Sequence, residues 1–467
     1  MSFEEVLVEA LLGKKPRRQG EGPSLLNFEV GVHTSDLSTP EGRIYFFNIS
    51  CGYICKVGFS EKLEKPLIVE KGATPVPELG VRLLYFPPEI QPPSIMTTSL
   101  EFSRAEEFGP EEVWSRVEEL VLKWIVFYSE KSVDLVTAYT IYTWFHMFWP
   151  KKANLVVTGF YSTGKSAVGN LLKALGRYVV QTDPGVRTSE WEVALLQGTM
   201  LIDEAESLKR SHLSKLRKMH DQGLIVSKMI GVRGGWSIIS LELSSPVVLI
   251  GTHIPPDPAL VSRGYILKMH YGEPREQPWP INSDEARLFR ARMLRTVAVY
   301  FKEYVRALES ARRLAEGYKL PMRARDIFVP LCASAIFSKR PEACRSLYDY
   351  AVVSQVMALQ VNPAYSLVAE LALRIRDAGV RTGDFILIPL SVFYRLLEEI
   401  GEGLGLPGRV VKYVEQYFAS AGYRVRLKGE WYLAFYWRDL ETTVKFLDVN
   451  PIEKLYGGFE LGRVKPG

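Results

Sequence analysis

The sequence lacks most of what would place it outside a cell or in a membrane. Cysteine is scarce, four in 467 residues: Cys51, Cys55, Cys332 and Cys344. So few do not make a disulfide framework, and buried free thiols are the expectation. Cys51-x-x-x-Cys55 has no second Cys or His pair nearby, which argues against zinc. No long apolar run is free of polar residues. The most apolar stretch, Val133 to Trp149, carries Asp134, Thr137, Thr140, Thr143 and His146. It reads as a buried helix and not as a membrane span. The N-terminus, Met1-Ser2-Phe3-Glu4-Glu5, is acidic, unlike a signal peptide. The expected compartment is therefore the cytoplasm. Asn and Gln are sparse beside Arg, Lys and Glu, a balance that leans towards a thermophilic source. There is no internal repeat and no low-complexity tract.

Charge of one sign is not abundant either. Lys and Arg total 58 against 53 Asp and Glu, for a net +5 and a pI near 8.8. That balance suits a polyanionic partner without specifying one. With 47% hydrophobic residues the chain can bury large cores, and its length allows about three domains.

One stretch organises the rest. Leu155-Val156-Val157-Thr158 reads as a short strand that runs into Gly159-Phe160-Tyr161-Ser162-Thr163-Gly164-Lys165-Ser166, a G-x-x-x-x-G-K-S pattern. Ala167 onward has helical spacing. Strand, Gly-bounded loop and helix start make a phosphate cradle, in which backbone N–H groups converge on the phosphates. Lys165 reaches the β- and γ-phosphates, and the Ser166 hydroxyl ligates Mg²⁺. The nucleotide-binding candidates are therefore Gly159, Phe160, Tyr161, Ser162, Thr163, Gly164, Lys165, Ser166 and Ala167. A second apolar strand, Thr199 to Ile202, ends in Asp203-Glu204-Ala205-Glu206. Asp203 suits the Mg²⁺ shell, and Glu204 suits the attacking water. A third, Pro246 to Gly251, ends in Thr252-His253. In isolation it could be a plain strand-to-turn boundary. Next comes Asp257-Pro258-Ala259-Leu260-Val261-Ser262-Arg263 before another apolar strand.

Phosphate loop, I-D-E-A, a strand ending in Thr-His and A-L-x-x-R together resemble the AAA+ ATPase core. Within that group the chain is similar to helicase ATPases of plasmids, viruses and mobile elements, neighbours of the superfamily-three helicases. By motif the resemblance covers residues 110–335. It implies ATP and Mg²⁺ as cofactors and a homo-oligomeric ring, a hexamer, acting on single-stranded or forked DNA. It also implies that Thr252, with His253 second, contacts the γ-phosphate or the lytic water. Arg263 becomes an arginine finger serving the neighbouring subunit. Lys228 and Arg233, on a predicted hairpin over 223–240, become DNA contacts in the channel. Arg325, or Arg323, becomes the lid arginine at a helix start. Lys209, Arg210, Lys215, Arg217 and Lys218 add positive charge before the hairpin, and a solvated basic face explains them equally well. No full primase domain fits before residue 109.

The flanks carry less. Lys14-Lys15-Pro16-Arg17-Arg18 reads as a basic linker. Residues 26–95 read as strands, notably at 43–49, 67–69 and 81–86, with no visible chemistry. Residues 386–440 read as helix, helix and hairpin, which resembles a winged helix. There Arg409 and Lys412 lie on the recognition helix, and Arg424, Arg426 and Lys428 lie on the wing. The expected fold class is α/β. Its parts are a β-rich module at 1–108, the ATPase core with leading helices at 109–275, a helical lid at 276–385 and the winged-helix-like part at 386–467. The expected activity is ATP-dependent DNA unwinding in replication. The alternatives are an initiator or loader that uses ATP as a switch, and a protein-remodelling or defence ATPase.

Overall fold

The computed structural model describes residues 28–31, 36–39, 42–79, 81–85, 92–182, 187–221, 224–232, 235–255, 257–360, 363–438, 440–441 and 454–455. The basic run at 14–18 and Arg233 lie outside the described residues.

Among the described residues seven strands come first: β1 (Phe28–Gly31), β2 (Asp36–Thr39), β3 (Gly42–Ser50), β4 (Ile54–Ser60), β5 (Leu67–Val69), β6 (Gly72–Val76) and β7 (Val81–Tyr85). They form two sheets, ordered β2-β3-β4-β5 and β1-β7-β6. The strands expected at 43–49, 67–69 and 81–86 correspond to β3, β5 and β7. β4 was not read, and Lys56 explains why: a charged residue interrupts an otherwise wholly buried strand. Burial pushes the Lys56 ammonium down to about 8, and it lies 5.8 Å from the centre of the Tyr85 ring. β3 alternates between two cores. Ile44 and Phe46 pack with Val69, Val81 and Leu83, while Phe47 and Ile49 enter the main core.

The expectation of four free thiols is corrected. Cys51 is disulfide-bonded to Cys55 and Cys332 to Cys344, with Cα–Cα separations of 6.0 and 4.9 Å. The first pair closes the turn between β3 and β4. The second joins two helices that meet only once the chain has folded, so spacing alone could not announce it.

Helices α1 (Ser99–Arg104), α2 (Pro110–Trp124) and α3 (Glu130–Phe145) lead into the central sheet. A capping box opens α1: Thr98 accepts from the Glu101 N–H while Glu101 accepts from the Thr98 N–H. Pro110 at the first position, followed by Glu111 and Glu112, opens α2. α3 is buried nearly all round, as its sequence requires.

The central part alternates β8 (Asn154–Thr158), α4 (Lys165–Leu175), β9 (Val179–Gln181), α5 (Arg187–Leu196), β10 (Thr199–Ile202) and α6 (Arg210–Asp221). A hairpin follows, β11 (Leu224–Val232) with β12 (Gly235–Leu243), where the sequence places one. Then come β13 (Val247–Gly251), α7 (Pro258–Val261) and β14 (Gly264–Lys268). Five of these strands form one parallel sheet, ordered β14-β8-β13-β10-β9. β8 and β13 are buried along their whole length. Layers cover both faces, so these strands read as continuous apolar runs.

Four helices come next: α8 (Asp284–Gly317), interrupted at Tyr300, then α9 (Met322–Phe337), α10 (Ala343–Gln360) and α11 (Pro363–Ala378). The chain continues through β15 (Val380–Thr382), β16 (Phe385–Pro389), α12 (Leu390–Gly403), α13 (Gly408–Ala421), β17 (Tyr423–Leu427) and β18 (Glu430–Tyr436). From α11 onward these elements have their own core, around Ile375, Ile386, Phe393, Val414, Phe418 and Leu433. Among the described residues no helix is long and apolar enough to cross a membrane.

Aromatic packing joins the leading helices to the trailing ones. Phe145 stacks on Tyr304 at 4.2 Å and meets Phe337 at 5.0 Å, which ties α3 to α8 and α9. Phe145→Ala should therefore cost about 3–5 kcal/mol in chemical denaturation. A loss below about 1 kcal/mol, the range of a volume-conserving core swap, would show that this junction does not hold the helices together.

Candidate functional site

In a parallel sheet every strand ends at the same edge, and ligands gather there. Gly251 of β13 pairs with Thr158 of β8, and Ile202 of β10 pairs with Leu249 of β13. The three motif-bearing turns that follow Thr158, Ile202 and Gly251 are therefore side by side. Thr252 fills the gap between the loop after β8 and the acids after β10.

The loop after β8 has little freedom. Gly159 has φ +156°, and a β-carbon there would lie 2.6 Å from the Met269 carbonyl oxygen and 2.8 Å from Thr163 Oγ1. Gly164, at φ 79°, precedes α4, and no side chain caps that helix. Its first-turn N–H groups face the loop. Thr163 Oγ1 donates to the Phe160 carbonyl at 2.8 Å. Lys165 Nζ donates to the carbonyls of Gly159 and Phe160 at 2.9 and 2.6 Å. The ammonium is thus folded onto its own loop, over the place where it would meet a phosphate. Ser166 is exposed at the helix start, whereas Ala167 is half-buried. Phe160 and Tyr161 project outward, 87% and 85% exposed. Glycine corners, uncapped N–H groups, an ammonium and a hydroxyl fit a triphosphate with a divalent cation.

Asp203 and Glu204 are exposed at the end of β10. Glu204 sits in left-handed backbone, φ 51°, and its N–H donates to Asp203 Oδ1 at 3.0 Å. A non-glycine residue held there is strained.

Glu206 was given no role from the sequence, yet it bridges two of the three turns. Its Oε1 accepts from Thr252 Oγ1 at 3.0 Å and its Oε2 accepts from the Thr252 N–H at 3.3 Å. Thr252 Oγ1 is also 2.8 Å from His253 Nδ1. Burial pulls the Glu206 carboxyl upward. Hydrogen bonds from its own N–H, from the Thr252 hydroxyl and from the Thr252 N–H, with the His253 charge, outweigh that and hold it below the usual value. The only sequence signal was its place three residues after Asp203.

The predicted finger and lid arginines are elsewhere. The Arg263 carbonyl accepts from the Asn154 N–H at 3.0 Å, so Arg263 stands where β8 begins. One strand length, about 15 Å, separates it from its own phosphate loop. Its guanidinium donates to the Ala259 carbonyl. Arg323 donates to Ser262 Oγ at 3.2 Å. Arg325, half-buried, is one residue before Asp326, whose carbonyl accepts from Trp149 Nε1 at 3.0 Å. Arg263, Arg323 and Arg325 therefore share the end of the sheet opposite the phosphate loop. The structure does not bring Arg325 to the nucleotide candidates of its own chain.

The remaining basic candidates divide in two. Lys215 pairs with Glu190 at 2.9 Å and Arg217 with Asp257 at 3.6 Å, whereas Lys209 and Lys218 are exposed. Lys228 is in β11 opposite Ile239. Arg409, Lys412, Arg424, Arg426 and Lys428 are all exposed, on α13, on β17 and at its turn. Lys428 and Gly429 both have positive φ, 47° and 88°, and form the tight turn expected there. The Arg426 guanidinium lies 5.8 Å from the centre of the Trp431 ring across the hairpin.

No family model and no curated protein matches the chain. Among solved structures it is similar to "SCCmec type IV Cch - active helicase", at 12% identity and a TM-score of 0.42, over 89% of this chain and 80% of that one. It is also similar to the apo C-terminal region of NrS-1, at 12% identity and a TM-score of 0.34, over 84% of this chain and 96% of that one. Likenesses this loose carry no assignment.

The Glu206 bonds give a pH prediction. The folded carboxyl lies below its unfolded value of about 4.3. Its stabilisation is therefore present above that pH and is lost as pH falls through the folded value. Glu206→Gln should be less stable than the parent at neutral pH, and thermal unfolding should show the gap closing in acid. A gap as wide in acid as at neutrality would refute the carboxylate's part in it.

Proposed function

We propose that the chain is an ATPase of the AAA+ type that works as a homo-oligomeric ring and couples ATP hydrolysis to movement along DNA. One observation carries this reading. The phosphate loop, the acids after β10 and the polar end of β13 meet at one edge of the sheet, while Arg263 stands at the other. A site completed by a guanidinium that stands at the far end of its own sheet is a site between copies.

In this reading Lys165 leaves the loop carbonyls for the phosphates, and the α4 N–H groups take the oxygens. Ser166 and Asp203 hold Mg²⁺, which neutralises charge on the β- and γ-phosphates. Glu204 orients the water. Arg263 of one copy reaches the next copy's nucleotide, a role worth about 10³–10⁵ in rate where such fingers operate. Arg323 and Arg325 share its end of the sheet and face the same neighbour. The β11–β12 hairpin, with Lys228 and Arg233, and the winged-helix-like part at 386–467 grip DNA phosphates. The four-part division at 108, 275 and 385 belongs to the same proposal.

ATPase assays test it. Lys165→Ala should abolish turnover, and Glu204→Gln should bind ATP without hydrolysing it. Arg263→Ala should be inactive alone yet regain turnover when mixed with Lys165→Ala, because each supplies what the other lacks. Mixtures no more active than their parts would rule out the shared site. If the protein hydrolyses ATP but displaces no strand from a forked substrate, it is an initiator or loader.

The DNA reading has its own test. Arg424→Ala and Arg426→Ala should each weaken DNA binding across sequences and lower the salt slope by about one. Unchanged slopes would remove the β17–β18 hairpin from the DNA path.

A further inference from the structure

The sheet ordered β15-β16-β18-β17 has two unlike faces. Strand pairing fixes which residues share a face. Ile386 stands opposite Phe435 and Ile388 opposite Leu433. These four are buried against α11, α12 and α13. On the other face Phe385 stands opposite Tyr436, and both Leu387 and Tyr423 stand opposite Ala434. Val425 and Leu427 continue that face along β17, because side chains alternate. An antiparallel sheet with one packed face ordinarily turns polar residues to water on the other. Here the water side is apolar and aromatic.

Rings from three strands meet on it. Centre to centre, Phe385 lies 4.4 Å from Tyr436 and 6.3 Å from Tyr423, and the two tyrosines are 6.4 Å apart. Tyr423 is 58% exposed and Tyr436 45%, while Ala434 beside them is buried. The small side chain makes a floor, and the rings stand over it. β17 is an edge strand. It alternates this surface with Arg424 and Arg426, both exposed, and Lys428 follows at the turn. β17 carries no acid. Glu430, across from Leu427, accepts from the Tyr432 hydroxyl at 3.1 Å. Exposed rings beside an edge of cations match unpaired bases and their phosphates. Every base has a π-face that stacks on an aromatic side chain, and a duplex keeps those faces inside its own stack. A protein partner for an apolar face would need no cations along the rim.

We propose that this face binds single-stranded nucleic acid, with bases stacked on Tyr423, Tyr436 and Phe385 while phosphates follow Arg424, Arg426 and Lys428 along the edge. The site rests on the DNA part of the reading above and adds to it a preference for unpaired bases, which phosphate contacts alone do not supply. Rings on one sheet face hold about two or three bases.

Fluorescence anisotropy of the full chain with labelled oligothymidylate, and with a duplex of the same length, tests this over a salt series. Tyr423→Ala and Tyr436→Ala should each weaken oligothymidylate binding about tenfold and leave duplex binding unchanged. Their salt slopes should match the parent's, because no phosphate contact is lost, whereas Arg424→Ala lowers its slope. Tyr423→Phe and Tyr436→Phe keep a ring and should bind like the parent. Tyr423 stands on the edge strand, so its removal leaves the core intact. Oligouridylate in place of oligothymidylate shows whether the strand is RNA or DNA, and a ring-dependent loss with either supports the face. Alanine variants that bind oligothymidylate like the parent, or that lose single strand and duplex alike, would overturn the proposal. So would variants that keep oligothymidylate affinity but break up a parent oligomer in sedimentation, since the face would then join copies of the chain. A parent that binds no nucleic acid would overturn the DNA reading and this site together, whereas the ATPase mixing experiment is independent of every one of these outcomes.

Discussion

The candidate site depends on one close approach. The Met269 N–H donates to the Thr158 carbonyl at 2.7 Å, which extends the β14–β8 pairing one residue past the sheet. That bond carries the Met269 carbonyl against the α-carbon of Gly159, where no β-carbon fits. The chain leaves β8 in a backbone conformation only glycine adopts readily, and turns back on itself until Gly164 starts α4. The glycine at 159 is thus imposed by packing from behind as much as by any ligand in front. A loop pressed from behind cannot relax away from its curvature, so its N–H groups stay convergent.

The same parallel sheet explains why the basic residues are divided. Parallel strands give the sheet two unlike ends. At the C-terminal end lie the loop, the acids and Thr252-His253. At the other lie Arg263, held by Ala259 and the start of β8, and Arg323, held by Ser262. Lys165 stands at its own phosphate loop. On the proposed reading the second positive group, Arg263, arrives only with a neighbour, so turnover waits for assembly.

What the sequence disclosed follows the range of the interactions. The loop, the acidic strand end, the β11–β12 hairpin and the Lys428-Gly429 turn are local, and each depends on residues within about a dozen positions. They were legible. β4 was not, because Lys56 breaks its pattern and a Tyr85 ring from another sheet accommodates the ammonium. The Cys332–Cys344 pair depends on how α9 meets α10. Arg325 was placed near the nucleotide by its position at a helix start. Only the fold shows that this start lies beside Trp149 and Ser262. Glu206 escaped because its partners, Thr252 and His253, are more than forty residues away.

Some departures from ordinary backbone fall at the candidate site. Ser162 and Glu204 adopt positive φ without being glycine, one in the phosphate loop and one at the acids. Gly159 and Gly251 each stand where a β-carbon would collide, the first with Met269 and the second with Glu206. All four lie at the C-terminal edge of one sheet. Strain of about 1–3 kcal/mol at each non-glycine position persists only where surroundings hold it. Here the surroundings are β8, β10 and β13, three mutually paired strands with little freedom to yield. Rigidity in the sheet and strain at its edge are therefore one design: the buried strands resist the distortion, and the turns at their ends keep the shape that a phosphate would find ready.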